Sequence, residues 1–297
     1  MKNKTYLKAS LREILYSKGR FIAIVLIILL GTLLYVGIKA TGPILNHSAS
    51  RYVDKQDLSN LQIVSTGGLT AEDIKLAEEI PDAKVESGHQ LFYADSKKNQ
   101  VVKLYSYNEE NKQNQLQVKS GHLPKKENEI VLDEKAKEEG YRLNQTYQID
   151  QPDQLKRKTF KIVGFVQSPI YVSTEERGLS NVGNGSVDFF AYVPEKNFSS
   201  AIKSVLYVSF ANVQEKETYG KSYENTMDKN IEKVETLFAD RPEERAAEIK
   251  AAAEKELLPR KAEVAENLER LDAGQRELDQ AKGQLEQQRE MMPVSYT

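Results

Sequence analysis

The chain has 297 residues, enough for one large domain or two ordinary ones, and its 42 Lys+Arg and 44 Asp+Glu leave a formal net charge of −2. That balance excludes a global basic field of the kind a nucleic-acid partner needs, so no nucleic acid is expected. The absence of Cys excludes a disulfide framework, a thiolate metal site and a Cys nucleophile.

Residues 1–20 form a basic segment. Lys2, Lys4, Lys8, Arg12, Lys18 and Arg20 face a single acid, Glu13. Leu7, Leu11, Ile14 and Leu15 recur at helical spacing, which reads as a short amphipathic helix on an inner leaflet or against a partner. The run "FIAIVLIILLGTLLYVGI", residues 21–38, then carries no charge. At 1.5 Å per residue it is about 27 Å long, close to the ~30 Å of a bilayer's hydrocarbon core. Thirteen of its 18 residues are Leu, Ile, Val or Phe. Each contributes roughly −0.3 to −0.6 kcal/mol to insertion. The sequence therefore predicts a transmembrane helix over 21–38. A buried core helix fits less well, because the rest of the chain is polar enough to bring mean hydropathy to −0.58. A cleaved signal peptide also fits less well, because the apolar run is too long and Ser48–Ser50 lies well beyond its end. Lys18 and Arg20 precede the span and only Lys39 follows it closely, which places the N-terminus in the cytoplasm and residues from about 40 onward outside.

Residues 39–215 switch to short strands with one or two helices. "LSNLQIVST" has strand spacing. "LTAEDIKLAEEIPDAK" reads as a helix with Thr70 as N-cap, Asp73 completing a capping box and Pro81 just past the end. "HQLFYAD", "QVVKLYSY" and "NQLQVKS" read as strands. "NEIVLDEKAKEEGYRL" reads as a strand running into a short helix that Gly140 stops. "TYQID", "TFKIVGFVQS", "DFFAYVPE" and "SVLYVSFAN" complete an α+β domain with a mostly antiparallel or mixed sheet, and the glycines of "ERGLSNVGNGS" mark a loop.

Residues 216–297 turn to Ala, Glu, Lys, Arg, Gln and Leu. Leu257, Val264, Leu271, Leu278, Leu285 and Met292 recur every seven residues, a heptad seam. The second seam position is poor: Lys261, Leu268, Gln275 and Lys282. The segment reads as a helical coiled-coil arm that needs a partner, with Pro242 starting a helical stretch and Pro259 bending it or separating two. A solvated, charge-rich single helix is the simpler alternative.

No constellation points to an enzyme. "GKS" at 220–222 lacks the preceding glycine of a phosphate loop, since position 215 is Glu. His47, His89 and His122 are widely spaced and read as surface or strand histidines. "GNGSVD" is not a nucleophile elbow. "NHS", "NQT", "NGS" and "NFS" fit a glycosylation pattern too short to carry weight. No cofactor, metal or catalytic residue is expected.

The order of parts, with "SKGRFIAIVLIILLGTLLYVGIKATGP" at 17–43, "YVDKQDLSNLQIVSTGGLTAEDI" at 52–74 and "SGHLPKKENEIVLDEKAKEEGYRLNQTYQI" followed by "KTFKIVGFVQSPIYVS", resembles the N-terminal portion of an FtsX/MacB-like ABC transporter permease. It is most similar to the Gram-positive type with an extracellular coiled-coil insertion. That family often has Gly-Asp before the strand after the short helix, and Asn144-Gln145 stands here. The resemblance implies a bacterial plasma-membrane protein with a MacB-core-like outside domain. It also implies a cytoplasmic ATP-binding subunit as partner, whose ATP-driven motion the outside domain transmits to export or extract a substrate. A homodimer or second permease chain is a further implied partner. The family pattern also contains a returning coiled-coil arm and at least three more spans, so the chain reads as a truncated portion. The alternative is a single-span protein that binds a cell-wall enzyme or partner chain through its extracellular coiled coil.

Overall fold

The computed structural model describes residues 2–95, 98–149, 153–173, 175–214, 216, 218 and 220–291. The chain divides into two compact units, Met1–Val234 and Glu235–Thr297.

In the first unit, helix α1 spans Lys2–Tyr16 and helix α2 spans Lys18–Lys55. Between them Ser17 leaves the helical conformation at φ −114°, ψ 40°, while its hydroxyl and its N–H both donate to the Glu13 carbonyl at 3.0 and 3.1 Å. The helix that carries the apolar run outlasts it, continuing from Ile38 to Lys55 through Gly42 and Pro43. Proline's fixed φ suits a helix, and the local cost is one lost N–H plus crowding of the carbonyl four residues back.

Ten strands follow. They are β1 (Leu61–Leu69), β2 (Ala83–Gly88), β3 (Gln90–Asp95), β4 (Gln100–Tyr107), β5 (Gln117–Gly121), β6 (Glu129–Asp133), β7 (Thr146–Gln148), β8 (Thr159–Gln167), β9 (Phe189–Pro194) and β10 (Lys203–Phe210). Helix α3 (Ala71–Glu78) lies between β1 and β2, and α4 (Lys221–Leu237) follows β10. A three-stranded antiparallel sheet has the order β1-β10-β2. A seven-stranded sheet has the order β3-β4-β9-β6-β8-β5, with β7 also on β8. The β4–β9 and β6–β8 pairs are parallel and the others antiparallel, so the sheet is mixed. The fold is α+β.

Strand alternation puts successive side chains on opposite faces of the large sheet. Leu104, Leu132, Phe189 and Ala191 join the larger core, with Ile130, Ile162, Phe160 and Phe165. Their neighbours Tyr105, Val131, Phe190 and Tyr192 form a second core on the other face. Both faces of β6 and β9 are therefore covered, and every residue of β6 is buried.

Most of the expected elements appear. Thr70 caps α3, and the capping box with Asp73 is complete: the Thr70 N–H donates to Asp73 Oδ2 at 2.7 Å and the Asp73 N–H to Thr70 Oγ1 at 3.4 Å. The element after β6 is a 3-10 turn, Glu134–Lys137, rather than an α-helix, and Gly140 closes the following turn at φ +88°. Asn144 adopts φ +67° before β7, a conformation that asparagine tolerates better than most side chains. Strand β2 was not expected, because its sequence, AKVESG, is polar. It owes its existence to pairing with β10 after a turn at Asp82, φ +62°. In the second unit, α5 spans Arg241–Met291 as one helix that runs through Pro259, so the proline does not separate two helices. Pro242 sits in its first turn, where a missing N–H costs nothing.

Candidate functional surfaces

Among the described residues, α2 is the one helix long and apolar enough to cross a membrane. None of its residues is buried within the protein. Its two threonines bond within the helix, Thr32 Oγ1 donating to the Ile28 carbonyl and Thr41 Oγ1 to the Gly37 carbonyl, both at 2.8 Å. Such bonds suit a helix with no water around it. Lys18 and Arg20 occupy its first turn, and Lys39 follows the apolar run directly. On α1, Leu7, Leu11 and Leu15 are more than half exposed, at 64%, 52% and 59%.

The C-terminal end of α2 is locked to the sheet body. Gln56, 6% exposed, follows the helix, and Asp57 turns the chain at φ +47°. Opposite them Asn114 also adopts a left-handed conformation, φ +56°. The Asn114 N–H donates to the Asp57 carbonyl and the Gln115 N–H to the Gln56 carbonyl, both at 2.8 Å. The Ser59 N–H donates to Asn114 Oδ1 at 3.1 Å. The adjacent Gln113 is buried and bonds in several directions. Its N–H donates to Glu86 Oε2 at 2.9 Å and its Nε2 to the Lys84 carbonyl at 3.0 Å, while its Oε1 accepts from Ser209 Oγ at 2.6 Å. Loop 108–116 thereby ties the end of α2 to β2 and β10. Gln56 Oε1 and Asn114 Nδ2 are buried in the joint without a partner among the described residues, so the joint is carried by its two backbone bonds and by the Gln113 and Ser59 contacts. Nothing in the polar stretch "NEENKQNQ" signals this joint in the sequence.

A second polar feature lies on the Tyr105 face of the large sheet. Asp133, fully buried at the end of β6, accepts two bonds from the buried Arg177, including Nη2 to Oδ1 at 3.1 Å. The guanidinium lies 5.6 Å from the ring centroids of both Tyr171 and Phe190, which stack on each other at 4.7 Å. The Tyr171 hydroxyl meets that of Tyr105 at 2.7 Å. Burial pushes the Tyr171 phenol up to about 12. Tyr52 of α2, Gln167, Ser168 and Val172 complete a cleft of about 140 Å³ over this group.

The expected seam lies along α5. Leu257, Val264, Leu271, Leu278 and Leu285 are exposed, between 46% and 69%. Met292 lies outside the described residues. Lys261, Leu268, Gln275 and Lys282 are exposed as well.

The histidines are scattered. His47 and His122 are on the surface, whereas His89, between β2 and β3, is buried and stacks on Phe198 at 4.6 Å. Burial, with Lys203 nearby, lowers its pKa to about 4, so the ring is neutral at pH 7. Glu195 lies 4.0 Å from His89 Nε2 and pairs with Lys203. Among the described residues no group of three His, Asp or Glu side chains is placed to hold a metal. Lys221 and Ser222 of "GKS" begin α4 on the surface.

The chain thus combines one apolar helix, an α+β body with a mixed sheet, and a long C-terminal helix. No family model matches it, and no curated protein does. A solved structure that it matches is the extracellular domain of the noncanonic ABC-type transporter YknZ from Gram-positive bacteria. That match has 13% identity and a TM-score of 0.31, and it covers 56% of this chain and 86% of that one.

Proposed function

We propose that the chain is a permease-type membrane subunit of an ABC transporter and not an enzyme. In this reading residues 21–38 span the plasma membrane, the N-terminus is cytoplasmic, and the sheet body lies outside. A cytoplasmic ATP-binding subunit moves α2, and the outside body passes that motion to a substrate at the outer face. The supporting observation is the joint at Gln56–Ser59 and Gln113–Gln115. A helix of 38 residues is about 57 Å long. A ~30 Å hydrocarbon core leaves a helical stalk beyond the membrane. The stalk ends in a hydrogen-bonded clamp, so tilt or rotation of α2 reaches β2 and β10 without an intervening flexible linker. The family resemblance of residues 17–74 points the same way.

The test is purification of the chain in mild detergent from membranes of its own cells. An ATP-binding subunit is expected to co-purify in constant ratio. Intact complexes that contain the chain but no ATP-binding subunit would overturn the reading. The exposed leucines of α5 favour one alternative, a single-span protein that docks a cell-wall enzyme or partner chain through that helix. Capture of such a partner, lost in Leu271→Lys, with no ATP-binding subunit present, would select it.

A further inference from the structure

The charges beside the α5 seam decide which helix can cover it. With Leu257, Val264, Leu271, Leu278 and Leu285 at one core position of the heptad, the other core position reads Lys261, Leu268, Gln275, Lys282 and Arg289, three of the five basic. The flank next to that position carries Asp272, Asp279 and Glu286. The opposite flank carries Asn267, Gly274, Ala281 and Gln288, with Arg260 its one charge. All of these residues lie on the uninterrupted, exposed α5.

A second copy fits poorly in either direction. In a parallel pair the core positions meet their equivalents, so Lys261 faces Lys261 and Lys282 faces Lys282. The acidic flank then meets the neutral flank and gains no ion pair. In an antiparallel pair each flank meets its own kind, so Asp272, Asp279 and Glu286 face a second acidic row. Like charges there are repulsive, and such flanking charges set partner choice in coiled coils.

We infer that α5 binds a different helix, one with a heptad apolar stripe, acidic residues opposite Lys261, Lys282 and Arg289, and a row of Lys or Arg opposite Asp272, Asp279 and Glu286. Gly274 and Ala281, both small, let that helix approach closely on the neutral flank. The inference rests on the reading of α5 as a coiled-coil arm, and it is independent of which way the chain crosses the membrane.

The test uses the full chain in detergent and two fluorescent synthetic peptides of about five heptads, both with Leu at the core position that faces Leu257, Val264, Leu271, Leu278 and Leu285. One carries the complementary charges described above, and the other has Lys and Glu exchanged. The complementary peptide is expected to bind at least about tenfold more tightly, since three flank pairs of roughly 0.5 kcal/mol each give that ratio. The triple variant Asp272→Lys, Asp279→Lys, Glu286→Lys is expected to erase the preference, because its flank then favours the exchanged peptide while Lys261, Lys282 and Arg289 still favour the complementary one, and sedimentation is expected to show no self-association through α5. Equal binding of the two peptides, or a dimer of the chain abolished by Leu271→Lys, would overturn the inference while leaving α5 a coiled-coil arm. Binding of neither peptide would overturn both.

Discussion

Arg177→Met tests the buried ion pair most sharply. The substitution keeps an apolar side chain of similar length over Tyr171 and Phe190. It removes both guanidinium bonds to Asp133, whose side chain is 0% exposed. Among the described residues, the Lys135 N–H, at 3.2 Å, is then the remaining donor to that carboxylate. Removing one partner of a buried pair costs about 3–5 kcal/mol, because the other charge stays buried without its counterion. For a domain of this size one kcal/mol moves the melting temperature by about 2–4 °C, so a drop of roughly 6–20 °C is expected. The assay is thermal unfolding of the detergent-solubilised chain, followed by tyrosine circular dichroism. The double variant Asp133→Leu, Arg177→Met removes both charges, and it is expected to melt above Arg177→Met alone. A single variant within about 1 kcal/mol of the parent would refute the reasoning, because the pair would then carry little coupling.

Gly121 has φ +79°, and a Cβ there would fall 2.1 Å from the Val163 carbonyl oxygen. Gly121→Ala is therefore expected to cost at least about 2 kcal/mol in urea unfolding, while Gly140→Ala, strained but with open space around it, costs about 1. Thr70→Ala removes the capping hydroxyl of α3 and is expected to lose about 1 kcal/mol by the same assay. His89 is held neutral with its pKa lowered to about 4, while the unfolded chain titrates near 6.5. Between those values the unfolded state binds more protons, so stability is expected to fall as pH drops from about 6.5 towards 4. His89→Gln is expected to flatten that part of the melting-temperature profile, and an unchanged slope would show that other groups set it.

Much of the fold was legible because its signals are local. The α3 capping box needs only residues 70–73. The apolar strands β4, β6, β8, β9 and β10 announce themselves by composition. What stayed hidden depends on distant partners. Strand β2 is polar and exists by pairing with β10, more than a hundred residues away. Arg177 looks like any loop cation until β6 brings Asp133 to it. The joint rests on two asides of sequence, Asp57 and Asn114, each in a left-handed turn that only their contact explains. The length of α2 beyond Ile38 was masked by Gly42-Pro43, a pair that usually ends helices. The seam of α5 is the opposite case, since its period is plain in the sequence and its leucines remain exposed.

Topology is the most direct test of the proposed function. The chain has no Cys, so Ser10→Cys on α1 and Glu110→Cys in the loop after β4 each give a single thiol at an exposed position. Intact cells are treated with a membrane-impermeant maleimide. Labelling of Glu110→Cys but not Ser10→Cys, in a full-length protein that sediments with the membrane, is the expected result. Labelling of Ser10→Cys alone or of neither site, or a shortened, released protein labelled at position 110, would contradict a membrane helix that carries the sheet body outside.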